Sequence, residues 1–281
     1  MVHLLLSILF SSAIFVAFKL FSKNNINTSQ AIIINYFIAF GIGVSCYEKD
    51  INFSDIPEKS WFFGAIILSF LFITVFNLMA LTSQKNGVSV ASVAGKMSIV
   101  IPVAFGIYLY NEELTLQKII GIILALFAVL LTTIKDKSAV KKGNFLFPIL
   151  LFLGSGIIDT LIKYMQSNHV SNSELPLFSA ILFLQAGVLG VISFILKPAK
   201  IHYKNFIAGV ILGIINYNSI IYLLKALNHK TMGSAEIFTI NNVAIVMLTT
   251  LVGLLLFKEK LTLKNWIGIS IAIISILLIT Q

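Results

Sequence analysis

The segments "EELTLQKIIG" at 112–121 and "EKLTLKNWIG" at 259–268 are two copies of one ten-residue motif. They are identical at six positions and lie 147 residues apart. Each copy joins one apolar segment to the next. A motif that recurs at a fixed offset indicates that the chain consists of two similar halves.

The composition indicates an integral membrane protein. Of the 281 residues, 58% are hydrophobic and only 11% are charged, which leaves no ordinary water-facing surface. Ten segments are each about long enough to cross the hydrocarbon core as a helix. The connections between them are too short for a soluble domain, so the function must lie within the membrane or at its two faces. The predicted spans are 4–21, 30–47, 60–81, 87–110, 115–134, 145–166, 175–196, 205–226, 232–257 and 262–280.

The repeat divides these spans into two groups of five. Its offset places the join in the lysine-rich segment 135–144, which gives the repeats 1–137 and 138–281. A weaker similarity between "FKLFSKN" at 18–24 and "IKYMQSN" at 162–168 supports this division. Because five is odd, the second half enters the membrane from the opposite side. The predicted fold is therefore all-α, with ten transmembrane helices as two inverted five-helix repeats, as in many secondary transporters.

The motif itself has a structural interpretation. Thr115 and Thr262 are predicted to cap the last helix of each half, and Gly121 and Gly268 to allow close helix packing. On this interpretation the motif identifies the architecture rather than a binding site.

Further segments extend the pattern toward a known family. "MALTSQKNGVSVASV" at 79–93 and "KALNHKTMGSAEIF" at 225–238 each hold an Ala-Leu turn before a helix start rich in small residues. With the repeated motif, they resemble the EamA-like ten-helix branch of the drug/metabolite transporter superfamily. Pro102 matches the proline that this family often carries in its fourth helix, whereas Thr249 occupies the equivalent position of the second half. The resemblance implies export or exchange of small metabolites or amino acids, through a cavity lined mainly by helices 1, 3, 4, 6, 8 and 9.

Three charged residues lie deepest in the predicted spans. Lys96, Asp159 and Glu236 occupy positions where a charge is costly and is usually functional or paired. Lys96 has no acidic neighbour in sequence, and its ammonium suits a carboxylate or carbonyl of a small substrate. Asp159 lies four residues before Lys163, so a structural ion pair is an alternative to a substrate role. Glu236 and Asp159 are the candidates for carrying a proton during transport.

Uncharged polar residues complete the predicted site. Asparagines in a helix bundle also tie helices together, through hydrogen bonds worth only about 1 kcal/mol, so each has a structural alternative. The run "GIINYN" at 213–218 combines donors, acceptors and a ring near the middle of its span. The predicted substrate-binding residues of this kind are Asn77, Asn216, Tyr217, Asn218, Asn241 and Asn242.

The charge distribution indicates lipid rather than nucleic acid as the partner of the basic residues. The net charge is +9, every basic residue is a lysine, and these lysines lie in short connections beside apolar helices. They concentrate after the odd-numbered spans, so the positive-inside rule places both termini outside, whereas the family resemblance implies termini inside. Trp61 and Trp266, at helix starts, are predicted as membrane-interface anchors.

The leading hypothesis is a secondary transporter, an exporter or exchanger of small polar metabolites or amino acids by alternating access. It is expected in the cytoplasmic (inner) membrane, with a small-molecule substrate and membrane lipid as partners. A non-transporting membrane scaffold is the alternative. An enzyme is not expected, and neither a cofactor nor a metal is predicted, because the four histidines lie near ends or loops and neither a zinc motif nor an ATP-binding loop occurs.

Overall fold

The computed structural model describes residues 1–47, 51–110, 115–133, 145–171, 173–196, 200, 202–227 and 234–279. Throughout these residues, all regular structure is helical. The α-helices are α1 (Val2–Lys23), α2 (Thr28–Ser45), α3 (Phe62–Lys85), α4 (Val88–Met97), α5 (Val100–Tyr110), α6 (Leu116–Thr133), α7 (Leu146–Asn168), α8 (Leu175–Leu196), α9 (Tyr203–Leu227), α10 (Ser234–Leu255) and α11 (Leu263–Ile279). A short 3-10 helix, Phe53–Glu58, lies between α2 and α3.

Each predicted span coincides with a helix, and the fourth is divided between α4 and α5. Helices are expected because an apolar medium offers no partners to the backbone, which must satisfy its hydrogen bonds internally. Seven helical segments are long and apolar enough to cross a membrane, and three apolar helices are shorter: Leu116–Thr132, Ile240–Leu255 and Leu263–Ile279. The protein is thus a multi-pass membrane protein. The number of ten crossings and the inverted arrangement stay predictions, and the join predicted in 135–144 lies outside the described residues.

The chain forms two compact units that differ from the two sequence halves. Unit 1 contains Met1–Leu20, Leu78–Ile157 and Asn218–Gln281, and unit 2 contains Phe21–Asn77 and Ile158–Tyr217. Each unit therefore combines segments from both halves. The divisions fall within α1, α3, α7 and α9.

In unit 1 the glycines of the repeated motif lie where α6 and α11 meet. A Cβ on Gly121 would lie 2.7 Å from Cγ1 of Ile279, and a Cβ on Gly268 would lie 2.8 Å from Cγ2 of Thr132. The start of each helix thus contacts the end of the other, so the two helices run antiparallel. Ile279 follows Thr132 by 147 residues, the same offset that separates the glycines. The contact between Gly268 and Thr132 is therefore equivalent to the contact between Gly121 and Ile279, with the two halves of the sequence exchanged.

Unit 2 repeats this arrangement between α2 and α8. A Cβ on Gly43 would lie 3.1 Å from Cβ of Ala180, and a Cβ on Gly190 would lie 2.6 Å from Cγ1 of Ile33. Gly43 and Gly190 are 147 residues apart, as are Ile33 and Ala180. This second antiparallel pair is thus also held by exchanged contacts.

One aromatic pair of unit 2 joins equivalent positions of the two halves. The rings of Tyr36 and Phe183, again 147 residues apart, stack with centroids 6.0 Å apart. Tyr36 also lies 5.7 Å from the ring of Phe76 on α3. These contacts bury Tyr36 completely and place α3 against the α2–α8 pair.

The predicted caps of the last helix in each half are confirmed. The hydroxyl of Thr115 accepts a hydrogen bond from the backbone N–H of Lys118 at 3.3 Å, and that of Thr262 accepts one from Asn265 at 3.3 Å. Each satisfies a backbone donor that a helix start leaves without an intrahelical partner.

The prediction that Trp61 is an interface anchor is wrong. Its side chain is fully buried, its Nε1 donates to Glu174 at 3.3 Å, and its ring packs edge-on against Phe178. Lys59 Nζ also donates to Glu174, at 2.7 Å. Trp61 therefore ties the start of α3 to the start of α8 within unit 2. Trp266 is 45% exposed, as an interface residue must be.

We expect Gly121→Ala and Gly268→Ala to destabilise the protein by similar amounts, about 1–3 kcal/mol each, because the added methyl group would overpack the α6–α11 contact. The backbone nitrogens of Ile279 and Thr132 would lie only 3.2 and 3.0 Å from the new Cβ atoms, so neither side can yield easily. Thermal unfolding in detergent measures the effect. Gly41→Ala is the control, since nothing lies within 4 Å of its added Cβ. Equal stability of all three variants would contradict the close approach.

We expect the Lys59–Glu174 contact to stabilise the protein in a pH-dependent way. The hydrogen bond from Lys59 lowers the pKa of Glu174 from its ordinary 4.5, so its stabilising effect is present above that pH and is lost as the pH falls through the lowered pKa. The same hydrogen bond raises the pKa of Lys59, whose effect is complete below 10.5 and constant across the acid range.

Glu174→Gln should therefore lower the melting temperature near neutral pH, and the difference from wild type should shrink in acid. Melting curves across the acid range test this, with Glu58→Gln as the control because its exposed carboxylate lies on the same connection. A difference that does not change with pH would show that the contact makes no ionic contribution.

Candidate functional site

The nine predicted substrate-binding residues are distributed over both units. Unit 1 holds Lys96, Asn218, Glu236, Asn241 and Asn242, and unit 2 holds Asn77, Asp159, Asn216 and Tyr217. Glu236 lies in the first turn of α10, and its side chain lies outside the part of the structure that is described. Lys96 and Asn218 are half-buried, and Asn242 is buried.

Lys96 lies in the last turn of α4, just before a break in the helix. α4 ends at Met97 and α5 begins at Val100, with Pro102 in the first turn of α5. Proline has no N–H for the carbonyl of Ser98, four residues earlier, so the regular helix is interrupted there. The carbonyls at the end of a helix carry partial negative charge, which favours the ammonium of Lys96 at this position.

The corresponding helix of the second half is not interrupted. α10 continues through Thr249, whose Oγ1 lies 2.6 Å from the carbonyl oxygen of Ile245 and 2.6 Å from Oγ of Ser92 on α4. The difference between proline and threonine thus gives a broken helix in one half and a cross-link between helices in the other.

The start of α4 is held by Glu259, the first residue of the second motif copy. Its carboxylate accepts hydrogen bonds from the backbone N–H of Val88 at 2.8 Å and from the hydroxyl of Ser89 at 3.2 Å. Lys19 Nζ lies 3.9 Å from the same carboxylate. An anionic group at a helix N-terminus is stabilised by the helix dipole and by backbone donors. Glu259 thus positions the helix that carries Lys96, although 171 residues separate it from Val88.

Ser7 ties three helices of unit 1 together, one of them through Asn241. The hydroxyl of Ser7 on α1 lies 3.1 Å from Oδ1 of Asn241 on α10 and 3.3 Å from the carbonyl oxygen of Ser219 on α9. All three residues are buried. The structural interpretation of an asparagine is therefore supported at Asn241.

An aromatic cluster lies along the same α1–α9 contact. The rings of His3 and Phe10 stack on that of Tyr222, with centroids 6.1 and 5.7 Å away. Lys225 Nζ lies 5.7 Å from the centroid of Tyr222, within cation–π range. No motif or regular spacing marks these four residues, so the sequence did not identify the cluster.

In unit 2, Asn77 lines a cavity of about 570 Å³ between α2, α3 and α8. Its Oδ1 accepts a long hydrogen bond from Ser29 at 3.4 Å, and its Nδ2 donates to the carbonyl of Ile73 at 2.7 Å. Asn216 is buried and Tyr217 is half-buried, while Asp159 is exposed on α7.

The fold and the transmembrane helices define a multi-pass membrane protein with a broken helix and polar side chains in its spans. The model of the EamA-like transporter family matches residues 1–134 and 141–281, so this chain belongs to that family. An uncharacterised protein of Haemophilus influenzae is 30% identical over 279 residues, which cover 95% of this chain and 93% of that protein. A solved crystal structure aligns with a TM-score of 0.63 over 99% of this chain and 96% of its own. At 14% identity, this likeness shows the fold alone.

We expect Gly87→Ala to destabilise the Glu259 contact. Gly87 has φ of 117° and ψ of 158°, a conformation open essentially only to glycine, and its added Cβ would lie 2.9 Å from Oε1 of Glu259. The expected loss is about 1–3 kcal/mol. Gly95→Ala, on the same helix, is the control, since its added Cβ would meet only Phe15, at an ordinary 3.7 Å. Equal melting temperatures of Gly87→Ala and Gly95→Ala would show that the contact between Glu259 and the start of α4 does not require a glycine at position 87.

Proposed function

We propose that this protein is a secondary transporter that moves small polar metabolites or amino acids by alternating access, as an exporter or exchanger. The observation that carries the proposal is the pair of exchanged contacts, α6 with α11 and α2 with α8. In each pair, one residue of the first half contacts one residue of the second half, and the two equivalent residues in the opposite halves also contact each other. Such reciprocal contacts are characteristic of a two-fold axis.

The direction of the helices specifies what kind of axis this is. In both pairs the helices are antiparallel, so the local two-fold axis is perpendicular to them. If the helices cross the membrane, this axis lies in the membrane plane and relates two inverted repeats. Transporters built on that plan alternate between outward-open and inward-open forms.

The broken α4–α5 segment supports a substrate role for Lys96. Discontinuous helices commonly form the substrate sites of such transporters, because the interrupted backbone and nearby side chains can face a ligand. Lys96 lies next to the break and can bind a carboxylate or carbonyl as a compact charge. This favours amino acids and organic acids among the possible substrates.

The other predicted residues are proposed to supply specificity and coupling. Asn77, Asn216, Tyr217, Asn218 and Asn242 offer neutral donors and acceptors. Asp159 and Glu236 are proposed to carry a proton across the membrane in the direction opposite to the substrate. Asn241 is proposed to contribute to the same site, although its contact with Ser7 also supports a structural role.

The alternative function is a non-transporting scaffold. It is favoured by the number of polar side chains that tie helices together, such as Ser7 with Asn241 and Asn205 with Gln30. In a scaffold, substitution of Lys96 would change stability and no small molecule would bind.

We expect Lys96→Ala to lose substrate affinity by roughly 10- to 100-fold, the loss that follows from removing a hydrogen bond to a charged group. Purified protein in detergent is first screened by thermal shift against amino acids, organic acids, nucleosides and sugar phosphates. The ligand that stabilises it is then measured as counterflow uptake in proteoliposomes. Lys260→Ala, which removes the same charge from an exposed position, should behave as wild type.

Three outcomes distinguish the hypotheses. Binding and uptake lost only in Lys96→Ala would support the substrate site. Normal uptake by Lys96→Ala would refute its role while leaving transport intact. If no ligand shifts the melting curve of wild type and no uptake occurs, the scaffold becomes the better description.

A further inference from the structure

Unit 2 contains two adjoining cavities, and of their lining residues only Asn77 belongs to the proposed substrate site. The larger, about 570 Å³, lies between α2, α3 and α8, and the smaller, about 120 Å³, lies between α2, α8 and α9. They share Gln30, Ile33 and Phe194 as lining residues. Together they form one cleft with two apolar branches, which we call the α2–α8 cleft.

The larger branch changes from polar to apolar along the helices. At one end, Ser29 on α2 lies beside Asn77 on α3. One turn further along both helices, Ile33 and Ile73 both lie against Gly190 of α8. Phe70, a further turn along α3, is 61% exposed. The cleft therefore runs parallel to the membrane-spanning helices, with a polar end and an apolar length.

The amides at the polar end are held in place by their neighbours. Asn205 donates to Oε1 of Gln30 at 2.6 Å and accepts from the backbone N–H of Asn27 at 3.0 Å. Gln30 in turn donates to the backbone carbonyl of Lys200 at 3.0 Å. These bonds connect the start of α2 to the start of α9 and bring Lys200 next to the cleft.

Lysines border this polar end. Lys204 Nζ donates to the carbonyl of Asn24 at 3.3 Å, and Lys23 ends the helix just before that residue. Lys23, Lys200 and Lys204 are all exposed; they lie at the end of α1, in the α8–α9 connection and in the first turn of α9. Basic residues at the end of membrane-spanning helices attract anionic lipid head groups.

We propose that the α2–α8 cleft binds an anionic phospholipid. Its phosphate lies at the polar end beside Lys200 and Lys204, and its acyl chains follow the two apolar branches along the helices. The direction of the cleft matches that of lipid chains in a bilayer. A small soluble substrate would leave most of the apolar length unfilled, whereas a two-chain lipid fills it and keeps its charge at the basic edge.

The head group is tested with purified, delipidated protein in detergent. Thermal shift and native mass spectrometry compare dioleoyl phosphatidylglycerol, dioleoyl phosphatidylcholine and inorganic phosphate. Phosphatidylglycerol should bind and stabilise more than phosphatidylcholine, and the doubly substituted Lys200→Ala/Lys204→Ala should lose this preference, with affinity lowered by roughly tenfold. Lys260→Ala/Lys264→Ala removes the same charge from exposed positions in unit 1 and should keep the preference.

The apolar branches are tested by filling the larger one. Ser193 is an exposed residue that lines the larger branch. The variant Ser193→Phe should bind one phosphatidylglycerol molecule fewer than wild type. The control Ser193→Ala should bind as many as wild type. Because Ser193 is exposed, the substitution should leave the melting temperature of the lipid-free protein nearly unchanged.

Four results would overturn the proposal. They are equal binding of the two lipids to wild type, an equal shift by phosphate alone, full lipid binding by Ser193→Phe and, if native mass spectra show that the wild type is a dimer, loss of that dimer in Ser193→Phe without loss of lipid. The second would indicate a soluble phosphate ligand, and the last would indicate that another copy of the chain occupies the cleft.

Discussion

The close approach of α6 and α11 is the constraint on which unit 1 depends. Between helices in a membrane the hydrophobic effect contributes little, because lipid chains are as apolar as the side chains, and association depends on tight packing. Gly121 and Gly268 remove the side chains that would keep the helices apart. Between them, Ala125, Ala272 and Ser275 are completely buried along the same contact. Small residues thus stabilise the packing of helices in this membrane protein, as large apolar residues stabilise the core of a soluble protein.

The charges at the two ends of α4 relate this packing to the proposed substrate site. Its N-terminus faces the carboxylate of Glu259 and its last turn carries Lys96, so each charge has the sign that the helix dipole favours. The break after Met97 leaves Lys96 beside irregular backbone. A short helix with a defined start and a defined charged end is suited to hold a ligand-binding group in one place.

Local features of the fold were largely predictable. The spans, the caps at Thr115 and Thr262 and the packing glycines follow from patterns within about twenty residues. The burial of Trp61 and the hydrogen bonds of Glu259 to the start of α4 were not predicted, because both depend on partners more than 100 residues away. A tryptophan at a helix start has the same local sequence whether lipid or Glu174 lies beside it.

The sequence alone determined that this chain is a helical membrane protein with two similar halves, because hydropathy, helix length and the 147-residue repeat are properties of the chain itself. Only the tertiary structure decided which helices approach one another, and that each compact unit combines segments from both halves. It also decided that Asn241 ties helices together and that Asn77 lines a cavity. These outcomes depend on the fit of side chains across helices distant in sequence, which no local pattern encodes.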